Sequence, residues 1–288
     1  MRSLNARMTL SEKESNYYWN IEKGFQGELK FDKWLITLPN NCLVLNDLLL
    51  EMNNSVFQID TTLIFKGAIY PIDVKNYGGD SYVEGDRWYN KNSKKEIKNP
   101  LQQLNRSESL FRQLIKELGY QSPIETYLVF VNPDFYLYQA PIDPTFIFPT
   151  QINRFIDNLS KKPPTITKNQ IKLAHQIRSL HSENSRFTRI PEYSYEQLEK
   201  GILCPSCHTF FSELKKSTLI CKSCGCKEHI TSAVLRTANE LSLLFPDKNI
   251  TISLMHDWCN IIKSRTTIRS ILTKNYKLVS CGKSSYYD

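Results

Sequence analysis

The chain has 288 residues, 41% hydrophobic and 23% charged, with a net charge of +8, a composition that suits a globular protein of one large or two smaller domains. No stretch is long and apolar enough to span a bilayer, and residues 1–15 are polar without the apolar centre of a secretory signal, so the expectation is a cytoplasmic protein with no membrane partner. The charge is uneven: residues 1–160 carry 17 Lys and Arg against 19 Asp and Glu, whereas residues 161–288 carry 20 against 10, which points the second half toward an anionic partner, nucleic acid first.

In chain order, residues 21–38 read as a helix anchored by Phe25, Leu29, Trp34 and Leu35 and stopped by Pro39-Asn40-Asn41. Residues 42–52 read as a strand and Asn53-Asn54 as a turn. A hairpin follows: residues 56–65, a turn at Lys66-Gly67, then residues 68–76. A turn centred there pairs residues whose numbers sum to 133, which sets Asp60 opposite Asp73. One face then collects Phe57, Ile59, Leu63 and Phe65 against Val74, Ile72, Tyr70 and Ala68, a buried face. The other carries Asp60, Asp73 and Lys75, because side chains alternate along a strand. Opposed side chains have Cβ atoms roughly 4.5–5.5 Å apart, and like charges so placed repel. Two carboxylates held together with a lysine beside them imply a divalent cation.

Gly78-Gly79 ends the hairpin, and residues 81–83 and 87–89 form a short second one. Asn99-Pro100 opens a long helix that reaches Leu118 and stops at Gly119, with Leu101, Leu104, Leu110, Leu114, Ile115 and Leu118 at helical spacing. Residues 124–131 make an apolar strand stopped by Asn132-Pro133, completing an α/β unit. Two helical stretches follow, 151–159 and 168–181, separated by the linker Lys161-Lys162-Pro163-Pro164. Residues 231–244 form a further helix ended by Pro246. Tyrosines are plentiful, but no aromatic comb in the sequence marks a single-strand stacking platform. No glycine loop cradles phosphate, so no nucleotide cofactor is expected.

Five of the eight cysteines cluster between 204 and 226. Cys204-Pro-Ser-Cys207 and Cys221-Lys-Ser-Cys224 are two C-x-x-C knuckles at the spacing of a zinc ribbon, with residues 209–211 and 219–220 as its strands. Four thiolates fill a tetrahedral Zn²⁺ site, so the metal would be structural. Cys226, His208 and His229 stand by as spares.

In the last forty residues, Ile252, Met255, Trp258, Cys259 and Ile262 share a helix face. Ser264 can cap a second helix over 265–274 whose inner face is Ile268, Ile271 and Leu272. Its outer face presents Arg265, Thr266, Arg269, Ser270 and Lys274. With residues 276–279 and a turn at 281–283, the segment reads as a winged helix-turn-helix whose second helix enters the major groove. A helical hairpin with a solvated basic face is the competing reading.

Taken together, Gly24-Phe25-Gln26-Gly27-Glu28, Ile59-Asp60, Asp73-Val74-Lys75-Asn76, the following glycine pair with Trp88, and Asn99-Pro100-Leu101-Gln102-Gln103 resemble, in this order, the NERD (nuclease-related) domain of the PD-(D/E)xK nuclease superfamily. The resemblance covers residues 24–132. It implies an α/β fold, with a restriction-endonuclease-like mixed sheet flanked by helices. It also implies phosphodiester hydrolysis, with Asp60 and Asp73 on Mg²⁺ or Mn²⁺, Glu28 assisting, Lys75 on the attacking water and Gln103 in the cleft. The family usually has Glu where this chain has Asp73.

The expected organisation is a nuclease domain at 15–150, a helical connector at 151–200, a zinc ribbon at 201–230 and a helix plus winged helix-turn-helix at 231–288. The expected function is a metal-dependent nuclease acting on DNA, its basic half delivering it to double-stranded DNA through Arg265, Thr266, Arg269 and Lys274. The alternative is a non-catalytic DNA-binding regulator on a degenerate nuclease scaffold. The sequence leaves open a homo-oligomer or a protein partner through the C-terminal half.

Overall fold

The computed structural model describes residues 1–39, 42–163, 165–182, 189–280 and 285–288. The predicted stops at Asn40-Asn41 and Pro164 and the turn at 281–283 lie outside the described residues. Two compact units divide the chain: Asn20–Thr188 is one, and Met1–Trp19 with Arg189–Asp288 is the other.

The first unit is built on a mixed five-stranded sheet. Its strands are β1 (Leu43–Met52), β2 (Ser55–Ile64), β3 (Ile69–Lys75), β7 (Tyr127–Phe130) and β9 (Phe146–Ile147), in the order β1-β2-β3-β7-β9. β1, β2 and β3 run antiparallel, joined by tight turns, and Asn53 and Asn54 both adopt positive φ in the first of these. β3–β7 and β7–β9 are parallel. A second sheet pairs β4 (Gly79–Glu84), β5 (Arg87–Asn90), β6 (Glu96–Ile97) and β8 (Phe135–Tyr138) in the order β6-β5-β4-β8.

Helices cover both faces of the main sheet. On one side Phe31 and Leu35 of α2 (Glu12–Leu35) and Ile152, Phe155, Ile156 and Leu159 of α4 (Ile152–Ser160) pack on Leu63, Tyr70, Ile72 and Val74. On the other, Phe111, Leu114 and Ile115 of α3 (Pro100–Glu117) and Leu173, Ala174 and Ile177 of α5 (Lys168–Ser179) pack on Leu50, Phe57, Ile64 and Ile69. The helices read as a connector therefore carry core residues of this unit. A sheet covered on both faces explains why residues 61–64 of β2 and 69–74 of β3 are buried at every position rather than at alternate ones. α3 begins and ends as its sequence implies: the Asn99 side chain accepts the Leu101 N–H at 2.9 Å, Pro100 sits at the first helical position, and Gly119 takes φ +85° past the end.

Three details differ from expectation. α2 starts nine residues earlier than predicted, and its buried stripe is Gly27, Phe31 and Leu35, while Phe25 and Leu29 are exposed. Both stripes have helical spacing, and only tertiary packing chooses between them. β8 and β9, too short for a periodic pattern, were not foreseen. Phe57 and Ile59 pack with Ile64 and Ile69 rather than with Leu63 and Phe65. The cause is a kink at Asp60: the β1–β2 ladder skips from Asn46↔Thr61 to Leu48↔Ile59, and the intervening Asp47 has φ +51°.

The second unit holds α1 (Arg2–Arg7), the three-stranded ribbon β10 (Glu213–Lys215), β11 (Thr218–Ile220) and β12 (Lys227–His229), the helices α6 (Ile230–Leu244), α7 (Ile252–Cys259) and α8 (Arg265–Asn275), and the pair β13 (Leu278–Val279) and β14 (Tyr286–Tyr287). One core joins Cys204 and Cys221 to Ala233, Met255, Trp258, Ile268 and Leu272. Arg7 is buried in it: its guanidinium makes a bidentate pair with Glu240 at 2.7 and 3.1 Å, donates to the Glu199 and Gly201 carbonyls, and lies 4.2 Å from the Trp258 ring. The N-terminal helix thus completes the cysteine-bearing unit, which the sequence reading missed.

Candidate metal and nucleic-acid sites

The β2–β3 ladder runs Ile64↔Ile69, Leu63↔Tyr70, Thr62↔Pro71 and Thr61↔Ile72. Every pair sums to 133, so the next position sets Asp60 against Asp73. The main-chain ladder stops there, and the Asp60 side chain continues it: its Oδ2 accepts the Val74 N–H at 2.7 Å. Asp60 is also unpaired with β1, across from the kink at Asp47. A carboxylate therefore occupies a gap in the middle of a sheet.

Asp73 is buried, and Lys75 Nζ lies 2.7 Å from its Oδ2. Gln103, three residues inside α3, approaches its Oδ1 from the helix side with Nε2 at 3.5 Å, a contact at the edge of hydrogen-bonding range. Burial raises the pKa of Asp60 to about 8, and the neighbouring Asp73 adds to it; Asp73 is raised too, burial outweighing Lys75. Burial alone would lower the Lys75 pKa, but Asp73 and Asp60 outweigh it and hold the ammonium charged. Two acids thus share one lysine, and the raised pKa values mean that the second acid keeps a proton unless another cation joins the site.

Glu28 reaches the site's surroundings from α2. Its pKa is raised by burial first, then by Asp47 and Asp32. Glu28, Asp60 and Asp73 do not all close within 4.8 Å of one another, since among the described residues the four cysteines are the only such group found. Gly27 explains how the helix comes so near. A Cβ there would stand 2.6 Å from Asn76 Cβ, and Asn76 Nδ2 donates to the Lys23 carbonyl at 2.7 Å. Gly24 has no such neighbour. Trp88 is buried in the cluster of Phe130 and Leu104 beneath the second sheet.

Sequence reasoning missed Asp47, whose carboxylate accepts from Gln58 Nε2 at 2.9 Å, and also Tyr77 and Lys98. Burial raises the Tyr77 pKa and Lys75 opposes it, which places the phenol beside the lysine; the charge of Lys98 is felt at Asp73. Tyr77 and Lys98 flank the recognised motifs by one or two residues, and that adjacency is the one signal the sequence offered.

The cysteine site is more complete. Cys204, Cys207, Cys221 and Cys224 bring their sulfurs within 4.8 Å of one another, with Cys204–Cys224 at 3.6 Å and Cys207–Cys221 at 3.4 Å. Sulfurs each about 2.3 Å from one tetrahedral Zn²⁺ would lie about 3.8 Å apart, so the cage fits zinc. The Thr209 hydroxyl lies 3.0 Å from Cys207 Sγ and 3.4 Å from Cys221 Sγ, and its hydrogen bonds lower both thiols, Cys221 to about 6. The predicted ribbon strand at 209–211 is instead one bridge, Leu203↔Phe210, and the paired strands are β10, β11 and β12. His229 caps α6, accepting the Thr231 N–H at 3.3 Å.

α6, α7 and α8 pack around Met255, Trp258 and Ile268, and β13 pairs antiparallel with β14 beside them. Ser264 Oγ caps α8 by accepting the Thr267 N–H at 3.3 Å. Ile268, Ile271 and Leu272 are buried; Arg265, Thr266, Arg269 and Lys274 are exposed on the outer face. A groove of about 730 Å³ runs beside that face, lined by Arg265, Arg269, Thr251, Thr273 and Tyr287.

The first unit thus sets two acids and a lysine at a gap in the central strands of a mixed sheet between helices. The family model of the nuclease-related domain (NERD) matches residues 23–131, so that stretch of the chain is a nuclease-related domain. No curated protein and no solved structure matches the chain. Among the described residues, no helix is long and apolar enough to cross a membrane.

Proposed function

We propose that the protein is a metal-dependent nuclease of the PD-(D/E)xK type that cuts DNA. The observation that carries this reading is the pairing of buried Asp73 with half-buried Asp60 at a gap in a sheet, with Lys75 against Asp73. Asp73 Oδ2 has no well-aligned hydrogen bond despite its burial, and burial holds both carboxyls above their usual pKa. Such a donor set fits a hard divalent ion, Mg²⁺ or Mn²⁺, held by Asp60 and Asp73. When bound, the ion would neutralise charge on the scissile phosphate and acidify a water.

The remaining roles belong to this chain's own groups. Lys75, held charged by Asp73, orients the attacking water or stabilises the charge developing on phosphate oxygens. Glu28 approaches as an additional carboxylate, and Gln103 steadies Asp73. The exposed Arg265, Thr266, Arg269 and Lys274 of α8 would contact the phosphates and base edges of double-stranded DNA. The zinc ribbon would brace that unit.

The test is cleavage of plasmid, linear duplex, single-stranded DNA and RNA with Mg²⁺ or Mn²⁺. Lys75→Ala should slow cleavage by roughly 10²–10³-fold, the cost of removing a charge-stabilising donor, and Asp73→Ala at least as much. Variants that cut as fast as wild type would refute the site. Metal-independent DNA binding without product under any condition would point to the regulator reading instead.

A further inference from the structure

The second sheet of the nuclease unit has an aromatic face. Its inner side packs into the core through Val83, Trp88, Phe135 and Leu137. The registers set Tyr82 directly opposite Tyr89 on β5 and beside Tyr138 on β8. Tyr136 lies two residues before Tyr138 and so shares its face. Four tyrosines from three strands therefore line the outer side of one sheet. The Tyr82 and Tyr89 rings stack with centroids 5.1 Å apart and planes 18° apart, and Tyr136 and Tyr138 have centroids 4.6 Å apart. Tyr136 is 58% exposed and Tyr138 40%.

Cations edge this row. Lys91 Nζ lies 4.4 Å from the Tyr138 ring centroid and 3.1 Å from its hydroxyl, and it also pairs with Asp80. Arg87 lies near the Tyr89 side chain and 3.9 Å from the Glu96 carboxylate, and Lys94 and Lys95 are exposed in the turn between β5 and β6. In sequence β4 follows the candidate catalytic strand closely, β3 ending at Lys75 and β4 beginning at Gly79 in the second sheet.

We propose that this face is a binding platform for single-stranded nucleic acid, with unpaired bases stacking on the tyrosines and phosphates meeting Lys91, Arg87 and the Lys94–Lys95 turn. Aromatic rings on a sheet face with flanking cations suit bases whose faces are free. A duplex covers those faces by its own stacking and offers the row only phosphates. The platform names the substrate form for the nuclease reading, and its catalytic meaning rests on that reading, whereas its binding does not.

The experiment therefore measures binding and cutting separately on the full chain. Fluorescence anisotropy without added Mg²⁺ or Mn²⁺ follows a labelled oligothymidylate and a hairpin duplex of equal length. The probed proteins are wild type, the double variant Tyr136→Ala/Tyr138→Ala and Tyr138→Phe, with thermal melts to establish folding. Stacking contributes roughly 1–3 kcal/mol per base, so the double variant should bind oligothymidylate at least about 5-fold more weakly and the duplex unchanged. Tyr138→Phe, which keeps the ring, should bind as wild type. A wild-type protein that does not cut, but whose double variant still loses oligothymidylate, leaves the platform standing and removes the nuclease reading. Equal oligothymidylate affinity in wild type and double variant, an equal loss on the duplex, or no oligothymidylate binding by wild type overturns the platform; the last leaves the face to a protein partner.

Discussion

The Asp60 carboxylate accepts the Val74 N–H at 2.7 Å, one residue past the last main-chain pair of the β2–β3 ladder. A side chain thus stands in for a backbone carbonyl at the position that brings two acids together. The substitution keeps Val74 satisfied while leaving the second Asp60 oxygen for another partner.

One consequence is a pH-dependent stability of the metal-free site. The folded-state pKa of Asp60 is raised from 3.8 to about 8, so its contribution is fully present below the unfolded value and is lost as pH rises through the folded one. With zinc retained and no other divalent ion, the unit should melt at lower temperature as pH rises from about 5 to about 8. Asp60→Asn should flatten that slope and melt above wild type at the alkaline end, and Mn²⁺ should reverse the order. Parallel slopes for both proteins in thermal melts would contradict the assignment.

Gly27 and Gly24 separate close packing from helix propensity. Gly27→Ala forces a Cβ to within 2.6 Å of Asn76 Cβ, so the helix bearing Glu28 must shift. Overpacking of this kind costs about 1–3 kcal/mol, and cleavage should fall with it. Gly24→Ala meets no atom within 4 Å and should be neutral or stabilising by up to about 1 kcal/mol. Denaturant melts and cleavage rates of the two variants check both halves.

Zinc removal should affect the cysteine-bearing unit selectively. Cys204 and Cys221 are buried in the core that also holds Met255, Trp258 and Ile268. A strong chelator, or Cys221→Ser, should abolish zinc content and lower only the calorimetric transition of that unit. An unchanged calorimetric profile after zinc loss would show that the metal does not hold it.

The outer face of α8 predicts a salt signature. Arg265→Ala and Arg269→Ala leave the buried Ile268, Ile271 and Leu272 untouched. Each should weaken duplex binding and reduce the slope of log K against log salt by about 1. Slopes identical to wild type would remove α8 from the DNA contact.

Much of this was legible in the chain because it is local. A two-residue turn at Lys66-Gly67 leaves one register, which is why Asp60 and Asp73 could be paired by number alone. Asn99-Pro100 and Gly119 bracket α3 because capping chemistry reaches only a few residues, and Ser264 does the same for α8. Two C-x-x-C knuckles carry their own geometry. What escaped is tertiary. The tyrosine row needs β4 and β8 side by side, strands more than fifty residues apart. The kink at Asp60 goes with Asp47 taking positive φ, which the run Leu45-Asn46-Asp47-Leu48 does not announce. Arg7 lies in a polar stretch, and only Glu240, 233 residues away, explains its burial.

Binding of Mn²⁺ to the zinc-loaded protein, followed by water-proton relaxation or calorimetry, tests the Asp60–Asp73 site most directly. The account predicts a site that Asp60→Asn and Asp73→Asn each abolish and that Arg265→Ala leaves intact. Mn²⁺ binding of equal strength and stoichiometry in wild type and both aspartate variants would contradict it.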